Sequence, residues 1–277
     1  MSSQDGILST DAAASDGSLS VDWAASDRSP SAHTIELQAT DSCGQTATDS
    51  IDLCQQTTVT YDEIDLVDWH FEGSARWDED NGWLELTTPE PYLVGSAFET
   101  TVLVDATRVE IDFMFYIGDG SGADGFSVTA LDADRYGGVF LGGTGCGIGF
   151  GGNMTSCTPG PALPGWSIEL DTYYNYETAG IDPTTNDHLA FYFDGNLASI
   201  EAWAEVPEME DALWHAMSVV VDAPAVTVSI DGIPYIETEL EGFSPFLAWV
   251  GFTAGTGGLT NNHLIDSLEV TEPVCPE

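Results

Sequence analysis

Lysine is absent from this chain, and other basic side chains nearly so. Four arginines, Arg28, Arg76, Arg108 and Arg135, stand against 47 acidic residues, for a formal net charge of −43. Nucleic acid is bound mainly by cationic side chains that displace its counterions, so this chain is excluded from that class of partner. Anionic lipid surfaces are excluded by the same sign of charge. Runs apolar enough to span a bilayer are also missing, which excludes membrane insertion through helices. The opening residues, MSSQDGILSTDAAASDG, are no signal peptide, so an export signal is expected on a segment upstream. Long amphipathic helical patterns are hard to find. Cysteine is sparse and odd in number: Cys43, Cys54, Cys146, Cys157 and Cys275. None has the CxxC spacing of a zinc site, so disulfides are the expectation. Two arrangements are open: 43–54 with 146–157, or 54–275, which leaves Cys43 free.

What is present points to β-structure. Apolar residues make up 43% of the 277 residues, enough for a substantial core. The 29 glycines, with many Thr, Ser, Asp and Asn, argue for short strands and frequent turns. The acidic residues are scattered rather than blocked, as on a solvated folded surface suited to a salty or calcium-rich medium.

Residues 1–55 read as a small, incomplete β-module, with alternating segments such as HTIELQATD and TATDSIDL. Residues 56–60 form a hinge, 61–271 one continuous β-domain, and 272–277 a tail. Expected strands of the large domain include WLELTT, SAFETTVLV, RVEIDFMFYI, GFSVTALD, WSIELDTY, HLAFYFDG, WHAMSVVVDA, AVTVSIDG and AWVGFTAG. Both alternating and continuous apolar runs occur, which favours two stacked antiparallel sheets.

The stretch from Trp166 to His188, WSIELDTYYNYETAGIDPTTNDH, carries the chemistry. Glu169, Asp171, Tyr173 and Asn175 alternate, so a strand running through them would align four oxygen-bearing residues on one face. Asp182 and His188 could then fold back over that face. Oxygen cages suit hard cations such as Ca2+, and a histidine beside carboxylates suits a transition ion.

This pattern, E-x-D-x-Y-x-N-x6-D-x5-H, resembles the metal-binding signature of the L-type (legume-type) lectins. The likeness extends over most of residues 60–271, in a bacterial-like form. It includes the Ala123-Asp124-Gly125 turn, the glycine-rich run LGGTGCGIGFGG, the hairpin WHAMSVVVDAPAVTVSIDG and the closing VGFTAGTGGLTNNHLIDSLEV. The resemblance implies an all-β, antiparallel jelly-roll (concanavalin A-like) sandwich. It implies Ca2+ held by Asp171, the Tyr173 carbonyl, Asn175 and Asp182, and a second, Mn2+-like ion held by Glu169, Asp171, Asp182 and His188. It implies sugar contacts from Asp124, Asn175, a backbone N–H near Gly145, and the backbone at Gly258 and Leu259, with a cis bond before Asp124. The donor set suits vicinal hydroxyls, since a carboxylate accepts, an amide does both, and a glycine N–H can approach closely. Tyr173, Tyr174, Tyr176 and Tyr136 are candidates to cover the apolar face of a sugar ring.

The segment His33 to Ile51 resembles the closing strands of bacterial Ig-like (PKD-like) repeats, which occur in tandem on secreted proteins. The functional expectation is therefore a calcium-dependent lectin module of a secreted or cell-surface, adhesin-like protein whose partner is a glycan or polysaccharide. Further Ig-like modules or strand pairing are expected upstream. One alternative is a structural subunit of an extracellular filament or sheath. The other is a laminarinase-like glycoside hydrolase, for which Glu169 and Asp171 begin an E-x-D pattern. Asn175 stands where a second acid would be needed, and Glu177 lies too far along. His215 and His263 read as packing positions.

Overall fold

The computed structural model describes residues 33–53, 57–61, 68–152, 160–175 and 181–272. The chain divides into two compact units, one of residues 1–57 with 272–277 and one of 58–271. In the first, β1 (His33–Thr40) and β2 (Thr46–Leu53) form an antiparallel hairpin. Its turn is held by the Asp41 carboxylate, which accepts the N–H groups of Cys43 and Gln45 at 2.8 and 2.9 Å. Cys43 is an exposed free thiol in this turn. The 43–54 pairing expected as one of two arrangements is therefore not formed: an Asx-type turn closes the hairpin instead. Cys146 is disulfide-bonded. Cys157, Cys54 and Cys275 lie outside the described residues.

The large unit is assembled from strands in two sheets. The chain runs through β3 (Thr57–Tyr61), β4 (Trp69–Gly73), β5 (Arg76–Asp78), β6 (Trp83–Thr87), β7 (Val94–Glu99) and β8 (Val104–Asp105). It continues through β9 (Arg108–Gly118), β10 (Gly125–Asp132), β11 (Gly165–Asp171), β12 (His188–Phe193) and β13 (Ala202–Glu205). It closes with β14 (Trp214–Asp222), β15 (Ala225–Ile230), β16 (Ile233–Glu239), β17 (Leu247–Gly255) and β18 (Asn262–Glu272). One sheet has the order β13-β12-β11-β10-β17-β7-β4, with β8 beside β17. The other has the order β16-β15-β14-β9-β18-β6-β5, with β3 beside β18. Consecutive strands pair in the runs β10–β13 and β14–β16, while β17 inserts between β10 and β7 and β18 between β9 and β6; the pairings are antiparallel, as in a jelly roll.

Period-two burial identifies the core. Along β9, Val109, Ile111, Phe113, Phe115 and Ile117 point inward and alternate with half-exposed residues. They meet Phe126, Val128 and Ala130 of β10 and Phe252 and Ala254 of β17 in one apolar cluster. Strands β10 and β11 break the alternation, because every residue in them is buried. The reason is a second layer on the outer face of their sheet. There Leu131, Ile148, Phe150, Leu163, Tyr192 and Leu197 form a second apolar cluster. The glycine-rich run supplies part of that cover, and a 3-10 turn at Gly145–Gly147 folds it back onto β17. Under it, Ser127, Thr129, Ser167 and Thr253 bond to one another through buried hydroxyls at 2.8–3.0 Å, and Thr253 donates to the Ile148 carbonyl.

Candidate functional site

The strand that bears the signature is shorter than the sequence pattern suggests. β11 ends at Asp171, so Glu169 and Asp171 share one face of a strand but Tyr173 and Asn175 lie in the loop beyond. Two interactions turn the chain there. Asp171 accepts the Tyr173 N–H at 2.7 Å, and the Thr172 N–H bonds to the Asp124 carbonyl at 2.9 Å. The ladder with β10 also ends at this point, since Asp171 pairs with Gly125, the first residue of that strand.

Register brings the rest together. Asp171 pairs with His188 across β11 and β12, so their side chains are cross-strand neighbours. Glu169, two residues back, falls on the same face. Ligand atoms of Glu169, Asp171 and His188 lie within 4.8 Å of one another, and all three residues are buried. His188 Nε2 is 3.8 Å from the Glu169 carboxylate and has no hydrogen-bond partner. Asp182 returns from the loop and accepts the Asn175 N–H, which ties the two loop residues together. The Tyr192 hydroxyl donates to Glu169 at 2.8 Å, and Glu169 is buried.

The electrostatics of this cluster are unbalanced. Burial raises the Glu169 carboxyl to about 8, against the Tyr192 hydrogen bond that opposes it. Burial, and then the Glu169 and Asp182 charges, hold Asp171 well above the ordinary range. Burial raises Asp182 to about 6 and lowers His188 to about 4. No arginine offsets these groups among the described residues: Arg76 pairs with Glu85, Arg108 with Asp222, and Arg135 with Asp132 and Asp194. Buried carboxylates without a cationic partner are costly, and a divalent cation is the partner that such an oxygen-rich set accepts. An imidazole nitrogen with no hydrogen bond, facing the same carboxylates, suits a metal in the same way. The residues present therefore fit a metal ion.

Asp124 is the second centre. It follows a cis Ala123–Asp124 peptide, in agreement with the expectation, at the head of β10. Gly125 carries φ +152°, and a β-carbon there would lie 2.2 Å from the Leu170 carbonyl, so the turn packs tightly on β11 only with glycine. The Asp124 N–H bonds to Gly255 at 3.1 Å. Asp124 is only 2% exposed, yet its Oδ2 has no hydrogen-bond partner. Burial, and then the Asp182 charge, raise it to about 7. A β-carbon on Gly257 would stand 3.0 Å from that oxygen, so bare backbone faces the carboxylate. Gly145 lies beside Gly255, against the same turn. Gly258 and Leu259 follow directly, with Leu259 exposed.

Of the sugar candidates, Gly145 lies beside Gly255, whose carbonyl bonds to Asp124, and Gly258 and Leu259 follow Gly257 in the chain; Asn175 bonds to Asp182, whose charge acts on Asp124. Among the aromatic candidates, Tyr173 and Tyr174 are exposed beside Asn175. Tyr176 lies outside the described residues. Tyr136 is displaced from the site: it packs edge-on against Trp249 at 4.8 Å and beside Phe140, in the second apolar layer. Two residues escape sequence reasoning. Tyr92, on the loop between β6 and β7, bonds through its N–H to the Gly257 carbonyl. Glu210 accepts from Asn261 and stands beside Gly122. Both are distant from the signature in the chain, and only their Pro- and acid-rich loops mark them. His215 is ion-paired with Asp211 and Asp231, and His263 is buried against Thr87, so neither joins the site.

The two sheets, the cis turn at Asp124 and the loop closed over β11 define the L-type lectin fold. No family model matches the chain. Similar solved structures include the exoplasmic/lumenal domain of VIP36 in its Ca2+- and mannose-bound form, 18% identical over 76% of this chain and 85% of that one, with a TM-score of 0.58. Peanut lectin is 19% identical over 79% of this chain and 97% of its own, with a TM-score of 0.60. The carbohydrate recognition domain of Emp47p is 14% identical over 74% and 89%, with a TM-score of 0.54.

Proposed function

We propose that residues 61–271 are a calcium-dependent carbohydrate-binding module of a secreted or cell-surface, adhesin-like protein. The observation that carries this reading is the Asp124 carboxylate: buried, lacking a partner at Oδ2, and flanked by glycine backbone at Gly257. A buried acceptor of this kind is satisfied when a ligand donates to it, and sugar hydroxyls donate. In this reading Asp124 and Asn175 bind adjacent hydroxyls, with backbone groups at Gly145, Gly258 and Leu259. Ca2+ would be held by Asp171, the Tyr173 carbonyl, Asn175 and Asp182. A second, Mn2+-like ion would take Glu169, Asp171, Asp182 and His188. The ions orient Asn175 and its loop; no catalytic step is assigned to them. Residues 1–55 belong to an Ig-like module, and glycan or polysaccharide is the partner.

A glycan array probed with the purified chain, with Ca2+ and with chelator, tests this reading. Binding only with Ca2+ is the expected result. Absence of binding to every glycan with Ca2+ present sinks it. Elemental analysis of the native protein, expected to find Ca2+, checks the metal assignment separately.

A further inference from the structure

Residues 210–213, between β13 and β14, have no buried apolar anchor of their own. Val206 and Met209 seat the chain before them in the core, and Trp214 opens β14 after them. Three contacts hold the segment down. Glu210 accepts from the Asn261 side chain, the Ala212 N–H bonds to the Ile117 carbonyl at 3.1 Å, and Asp211 reaches His215 at 3.2 Å. Ala212 is kept at φ +57°, a left-handed conformation that a β-carbon disfavours. Backbone of this kind persists only while its surroundings hold it. The segment also borders the cis turn: a β-carbon on Gly122, two residues before Asp124, would lie 3.4 Å from the Glu210 carboxylate.

The His215 contact depends on a proton. Its Nδ1 lies 2.7 Å from Asp231, in the turn between β15 and β16, and its Nε2 3.2 Å from Asp211. An ionised carboxylate accepts hydrogen bonds and donates none, and a neutral imidazole has a single N–H. Both contacts are therefore hydrogen bonds only when the ring is an imidazolium. We infer that His215 is a positioning residue and a proton-gated latch: as an imidazolium it ties residues 210–213, and with them Glu210 beside the Asp124 turn, to the β15–β16 turn, and on losing its proton it lets go at Asp211. Asp211 is the contact that fails because the Asp231 bond is shorter and better braced. Asp231 also accepts the Ala216 N–H at 3.0 Å, and its own N–H bonds to the Ala216 carbonyl at 2.8 Å. Burial lowers the imidazole, but the hydrogen bonds and charges of Asp231 and Asp211 outweigh it and raise the ring above its ordinary value. The other neighbours do not compete. The Phe115 ring, 5.5 Å away, is uncharged, and Tyr116, pushed up by burial to about 12, stays a neutral phenol that donates to Asp119. The latch is thus closed below the ordinary histidine range and opens as pH rises through the raised value. This inference does not depend on the carbohydrate-binding reading.

Nuclear magnetic resonance of the full, calcium-loaded chain tests it. The His215 ring should pass from two protonated nitrogens to one at a pH above that of an ordinary histidine, and Asp211→Asn should lower that midpoint. The Ala212 amide, corrected for its intrinsic exchange rate, should lose protection about five- to tenfold across the titration, the scale of one partly solvated charge-assisted hydrogen bond. In His215→Gln and in Asp211→Asn its protection should already be low at acid pH. Asp187, which accepts the Met209 N–H at 2.7 Å and is raised by burial to about 6, titrates on the same loop. The difference between wild type and variants therefore carries the result. Asp211→Asn leaves the ring on Asp231, so it decides the matter even if His215→Gln fails to fold. A His215 ring already neutral at about pH 6 overturns the latch. Equal Ala212 protection at acid pH in the wild type and in Asp211→Asn overturns it as well.

Discussion

At Asp171, burial and the neighbouring Glu169 and Asp182 carboxylates all disfavour the charged form. Such a residue helps the fold only when a cation is near. Asp171→Asn should therefore abolish the gain in melting temperature produced by Ca2+, while in chelator the variant melts at or above the parent. A ligand at one hundred times its dissociation constant adds about 2.7 kcal/mol, or about 5–10 °C for a domain of this size. That is the shift expected in the parent and missing in the variant, read by calorimetry. The same carboxylates set a pH dependence. Burial raises Glu169 to about 8, Asp124 to about 7 and Asp182 to about 6, so the folded, metal-free chain binds protons that the unfolded chain has released. Their neutral forms stabilise fully below the ordinary carboxylate range, and that contribution is lost as pH rises through 6 to 8. Melting in chelator should fall between pH 5.5 and 8, and the increment from Ca2+ should grow over the same interval. A flat profile in chelator would show that these groups are charged and compensated in the folded state.

Strands β10, β11 and β17 carry both the site and the hydroxyl network under the glycine-rich run. Thr253 ties that network to the cover layer, since it bonds to Ser127 and donates to Ile148. Thr253→Val keeps the shape and removes both bonds. The stranded Ile148 carbonyl should cost about 1–3 kcal/mol, seen as a lowered urea midpoint at unchanged slope. Because Ile148 follows the turn at Gly145–Gly147, the variant also tests whether the cover layer and the site are coupled: calcium affinity should fall with stability. The elements were only partly legible in sequence. GFSVTALD forms the strand expected for it. SAFETTVLV does not run through, because Glu99 accepts the N–H groups of Thr101 and Val102 and curls the chain after β7. β3, β4, β5, β13, β16 and β18 are not among the expected strands. WSIELDTY stops at Asp171 for the same kind of reason as SAFETTVLV, a side-chain carboxylate capturing backbone donors that the ladder would have used.

For the whole molecule the dominant quantity is the net charge of −43. Three arginine pairs among the described residues offset little of it, so self-repulsion opposes the compact state. The range of that repulsion shrinks from about 30 Å at 0.01 M salt to about 3 Å at 1 M. Melting in chelator should therefore rise between those concentrations, by at least about 1 kcal/mol or 2–4 °C; a fall would mean that ion pairs matter more than repulsion. Charge, fold class and the clustering of Glu169, Asp171 and His188 were readable from the chain, because net charge is a sum over residues and those three lie within one short segment. What brings Tyr92 and Gly257 to Asp124, takes Tyr136 away into a second apolar layer, and leaves Cys43 unpaired was decided only in three dimensions. Those relations depend on which strands become neighbours in a jelly roll. Strand neighbours there are set by pairings between distant parts of the chain, which no local pattern records.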